Sequence, residues 1–81
     1  MKSPIEIFVG EKVREYREQR KWSLRYLGDC LNVHHSFVDR CEDRSEDVAF
    51  NLDHINTLAR IFECKISDLL PTFPLEDKKE S

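Results

Sequence analysis

Glycine and proline are scarce in this sequence, at two and three of 81 residues. That scarcity excludes a loop-rich or low-complexity chain. No apolar run approaches the roughly 18 residues of a membrane-spanning helix, and the first residues lack the apolar stretch of an export signal. The sequence therefore reads as cytoplasmic. Cysteine occurs three times, at Cys30, Cys41 and Cys64. An odd count in an unexported chain fits no disulfide framework and suggests reduced thiols used as small apolar fillers. Also missing are a closed C-x2-C zinc signature, a phosphate-cradling glycine loop, and a nucleophile with an orienting partner. These absences speak against an enzyme and give no reason to expect a cofactor.

What is present suits a small helical domain. Hydrophobic residues make up 40% of the chain and charged residues 36%. Its length allows one domain, which buries only roughly 60% of its unfolded surface and so has a thin margin of stability. The net charge is −3, but it is unevenly spread. Residues 1–27 carry seven Lys/Arg against four Glu, whereas residues 28–81 carry six against twelve Asp/Glu. A polyanion would be met only by a local basic patch near the front of the chain.

Caps and apolar spacing divide the chain into five short helices without internal repeat. Ser3-Pro4-Ile5-Glu6 forms a capping box with proline at the first helical position. Ile5, Phe8, Val9, Val13 and Tyr16 then mark one face of a helix over Pro4 to Arg20. Ser23 caps a second helix, Leu24 to Cys30, with Leu24 and Leu27 at helical spacing and Leu31 following. Asn32 suits a left-handed turn. A third helix begins near His35, turns Val38 and Cys41 inward, and ends before Asp43. Asn51 caps a fourth with Leu52, Ile55, Leu58, Ala59 and Phe62 inward, and Ser67 to Leu70 makes a last turn before Pro71. Residues 1–71 form the predicted domain, an all-α five-helix bundle, and residues 72–81 a charged tail.

Two short helices joined by a tight turn can set the second across a DNA major groove. Val9 to Arg17, Ser23 to Gly28, Leu31-Asn32-Val33, Val38 with Glu42, Leu58 to Phe62 and Ile66 to Leu70 keep a common order. In this respect the sequence resembles the lambda-repressor and Cro family of helix-turn-helix domains, over about residues 9–70. The resemblance implies a DNA-binding regulator, a repressor that occupies a near-palindromic operator as a homodimer. It also implies a salt bridge between Arg17 and Glu42, tying the first helix to the third. Departures stand out at Leu24, where the family has glutamine, and at Asp39 on the recognition helix. A third is Gly28, where alanine is usual and glycine should loosen the second helix by roughly 1 kcal/mol.

On this reading His35, Ser36, Phe37, Asp39 and Arg40 meet base edges, since the start of the third, recognition helix enters the groove. Arg20, Lys21, Ser23, Arg25, His34 and Arg44 grip phosphates, and the paired histidines strengthen binding below about pH 6.5. The partner is double-stranded DNA. The alternative is a protein–protein interaction module on the same scaffold, favoured by Asp39, Leu24 and the acidic balance. Cys30, His34, His35 and Cys41 include zinc-ligand types, but their spacing is better explained by packing. Trp22 reads as a hydrophobic staple, and Phe50 and Phe73 as a dimer contact or a satellite core.

Overall fold

The computed structural model describes residues 1–76. Four α-helices, α1 (Pro4–Gln19), α2 (Leu24–Leu31), α3 (His35–Glu42) and α4 (Leu52–Phe62), are followed by a 3-10 turn, Ile66–Leu69. The fifth element is thus a tight turn rather than an α-helix, because only four residues separate Lys65 from Leu70. Residues 72–76 add no helix, and the rest of the expected tail, 77–81, lies outside the described residues.

Each helix start is fixed by a side chain. Ser3 Oγ accepts from Glu6 N–H at 3.3 Å and Glu6 Oε1 returns the bond to Ser3 N–H at 2.9 Å. Ser23 caps α2 through Tyr26 N–H, and Asn51 caps α4 in a reciprocal box with His54. Three helices end alike, on a residue with positive φ: Lys21 after α1, Asn32 after α2 and Glu63 after α4. In each case the next N–H reaches back to a carbonyl five residues earlier, Trp22 to Arg17, Val33 to Gly28 and Cys64 to Ala59. Asparagine tolerates that conformation well; lysine and glutamate hold it at some steric cost, against the carbonyls they satisfy.

α2 and α3 pack most closely, with α1 crossing α3 and α4 covering α2 and the 3-10 turn. Val13, Leu27, Val38, Leu58 and Leu69 are fully enclosed where these elements meet. Two glycines permit the closeness. A Cβ on Gly10 would run into the Cys41 carbonyl oxygen of α3. One on Gly28 would lie 2.9 Å from the Val33 oxygen and 3.2 Å from the His35 backbone. Gly28 is therefore not a weak point in α2 but the contact that brings the turn and α3 against it.

Several inward assignments are corrected. Cys30 is exposed, because Leu27, Gly28 and Leu31 set the buried face and Cys30 falls about a third of a turn away. Leu52 is 80% exposed and Ile5 44% exposed, both on first turns that overhang the core. Cys41 does face inward, 1% exposed, and burial pushes its thiol from an ordinary 9.0 up to about 11. A thiol reagent at neutral pH should label Cys30 in the folded protein and Cys41 only on unfolding, checked by peptide mass mapping. In the unfolded chain the Cys41 thiol returns to its ordinary value. The native state holds the Cys41 proton up to about pH 11, so its contribution to stability is whole below the unfolded value and lost as pH rises through that interval.

Candidate nucleic-acid interface

α2, the left-handed Asn32 and α3 form a helix–turn–helix whose second helix is anchored at both ends. At its start, His34 Nδ1 accepts from Ser36 N–H at 3.1 Å and lies 2.8 Å from Ser36 Oγ. At its end, the Lys2 ammonium donates to the carbonyls of Arg40, Cys41 and Asp43 at 3.0, 2.8 and 2.7 Å. Lys2 is only 5% exposed. A cation satisfying the last carbonyls of a helix complements its dipole. No pattern in the sequence marks Lys2, since its partners lie about forty positions away.

Between these anchors, Val38, Cys41 and Glu42 turn inward while His35, Ser36, Asp39 and Arg40 remain exposed. Their i, i+1, i+4, i+5 spacing makes one polar face on α3. Phe37 is a partial exception: half-buried, it packs edge-on to Phe50 at 6.1 Å and against His54 at 5.1 Å. Its ring supports the helix from behind, which leaves less of it to reach a base than the sequence implied. Phe50 itself is buried, whereas Phe73 is 77% exposed.

Arg17 and Glu42 form a bidentate ion pair, with Nε and Nη2 each 2.9 Å from a carboxylate oxygen. Both side chains are largely enclosed, 11% and 4% exposed. The Arg17 Nη1 also donates to the Trp22 carbonyl, so the pair joins α1, α3 and the approach to α2. The bond to Glu42 raises the Arg17 pKa, outweighing the opposing effect of burial.

The basic residues expected at phosphates divide into two groups. Arg20 is a correction: it turns inward, donating to the Tyr16 and Phe62 carbonyls, and its guanidinium lies 5.0–5.7 Å from the rings of Phe62, Tyr16 and Trp22. Trp22 stacks on Phe62, tilts onto Tyr26 and packs against the core, completing that cluster. Arg44 is held by Glu11 at 2.7 Å, and Arg40, expected at base edges, is held by Glu46 at 3.1 Å. Lys21 and Arg25, flanking the Ser23 cap, are exposed and meet no carboxylate among the described residues. No group of three or more potential metal ligands gathers among the described residues, and no described helix is long and apolar enough to cross a membrane.

A capped helix, a tight left-handed turn and a second helix with an exposed polar face define the class: a helix-turn-helix DNA-binding domain. The chain belongs to the Cro/C1-type helix-turn-helix DNA-binding domain family, whose profile matches residues 12–74. No curated protein matches this sequence. The fold is similar to part of hydroxypropylphosphonic acid epoxidase from S. wedmorenis, with a TM-score of 0.71 and 22% identity over 83% of this chain. The same enzyme in complex with fosfomycin matches at 0.69 and 22% over 83%. This chain spans 35% of the length of those chains. At that identity the likeness is one of fold alone.

Proposed function

We propose that this domain binds double-stranded DNA sequence-specifically and represses transcription by occupying its site, without chemistry of its own, in the cytoplasm. The observation that carries the reading is the polar face of α3, held at both ends beside the cations that flank the α2 cap. His35, Ser36 and Arg40 suit base edges, with Asp39 an acceptor suited to a cytosine amino group. Lys21, Ser23 and Arg25 suit phosphates, as does the exposed His34 at the start of α3. Homodimers would set two such helices about one turn of DNA apart on a near-palindrome. An apolar groove between the starts of α1 and α4, flanked by the exposed Ile5 and Leu52, supports self-association.

The test is a titration of Arg25→Gln against the native chain on a duplex selected by the native protein. Loss of one phosphate contact should weaken binding uniformly and flatten the log–log salt slope by about 0.9. An unchanged slope would remove Arg25 from the interface. A protein-interaction module on the same scaffold is the second reading, and it is favoured by the carboxylates that engage Arg40 and Arg44.

A further inference from the structure

We propose that Glu11 and Glu46 act as intramolecular competitors of DNA phosphate, each occupying an arginine beside the recognition helix and so setting affinity. The proposal rests on the DNA-binding reading and adds what tunes it. Arg40 lies on the exposed face of α3, and its Nε donates to Glu46 Oε1 in the loop that follows. Arg44 stands just beyond α3, and both its Nε and its Nη2 donate to one oxygen of Glu11 on α1. Each arginine is thereby given the partner a phosphate would otherwise be.

The two pairs are built to be displaced, unlike Arg17–Glu42. Their side chains are 55% and 41% exposed for Arg40 and Glu46, and 67% and 52% for Arg44 and Glu11. Ion pairs that open to water are weak and screened by salt. A polyanion can outbid them, but only after displacing a carboxylate that then repels it. Local charge works the same way. Around the end of α3, Glu11, Asp39, Asp43 and Glu46 offset the cations Arg14, Arg40, Arg44 and Lys2, while Asp47 is taken by the N-terminal ammonium at 2.6 Å. Asp43 is kept ionised by bonds from the Ser45 backbone and hydroxyl, which lower its pKa. Non-specific contact with phosphate is therefore disfavoured at this end of the domain. A site that offers Arg40 a base edge gains a contact that Glu46 cannot match, so the pairs trade affinity for discrimination.

The experiment compares the native chain, the double variant Glu11→Gln/Glu46→Gln, and Glu76→Gln, which makes one such charge change at an exposed residue that pairs with neither arginine. Each is titrated against a mixed-sequence duplex across a range of salt. The double variant should bind about tenfold tighter at low salt, with a slope steeper by about 1.8 for two freed arginines. Glu76→Gln should stay within about twofold of native, as an exposed and screened charge that occupies no arginine. Adding Arg44→Gln should weaken binding in the Glu11→Gln background and leave the native background nearly unchanged. If native protein binds duplex and the double variant matches it in affinity and slope, the competition is overturned while the DNA-binding reading stands. If neither protein binds any duplex, both are overturned.

Discussion

Glu42→Ala should cost roughly 3–5 kcal/mol of stability, the range for removing one partner of a buried ion pair. In the variant the Arg17 guanidinium would keep only the Trp22 carbonyl and its distant contact with Glu18, inside a site where it is 11% exposed. A domain of this size has a total stability of about 4–12 kcal/mol, so the variant should lose a large share of it and, at the low end of that range, be partly unfolded at room temperature. The cost arises from the charge left behind more than from the bond lost. Replacing both residues with apolar ones of similar size, Arg17→Met with Glu42→Leu, should therefore cost much less than the two single changes combined. Thermal unfolding of the four proteins in the cycle checks this. A Glu42→Ala melting point equal to the native one would mean that the pair does not hold α1 to α3.

Lys2→Met should be the next most damaging change, at roughly 2–3 kcal/mol, the scale for losing hydrogen bonds from a charged donor to enclosed acceptors. Methionine keeps the apolar stem and removes only the ammonium, so the effect isolates the three bonds to Arg40, Cys41 and Asp43. At about 4–8 °C per kcal/mol for a domain of this length, the melting temperature should fall by about 8–24 °C. The loss should concentrate at the end of α3, where amide hydrogen exchange would quicken before that of α4. Unchanged melting and exchange would show that those carbonyls are satisfied by solvent.

The two residues differ in how far the sequence announces them. Glu42 is identifiable through its place in a family pattern, and its pairing with Arg17 follows from that resemblance. Lys2 reads as an ordinary charged residue ahead of a capping box, because nothing local records a bond across 39 positions. The same division runs through the fold. Ser3, Ser23, Asn32 and Asn51 signal helix ends within four residues of themselves, and those ends lie where the sequence puts them. Cys30 and Leu52 mislead because apolar character at helical spacing gives a helix's period but not the phase its neighbours impose. Gly28 misleads in the other direction, since propensity counts the loss to the helix and not the close approach to Val33 and His35.

At the interface, residue type indicates which side chains can touch DNA but not which are already engaged. Arg20, Arg25, Arg40 and Arg44 are indistinguishable as letters. In the folded chain the first lies among aromatic rings and donates to carbonyls, the last two hold carboxylates, and only Arg25 of the four has none of these partners among the described residues. Those engagements join residues up to 42 positions apart and depend on packing between helices, beyond what periodicity records.

The measurement that tests the central claim most directly is selection of binding sites from a random duplex-DNA library by the native protein, with a salt titration on any enriched sequence. The account predicts an enriched near-palindrome, half-sites about one helical turn apart, and affinity that falls steeply with salt. No enriched sequence, or weak binding indifferent to sequence and salt, would contradict it and favour a domain that binds another protein through its acidic surface.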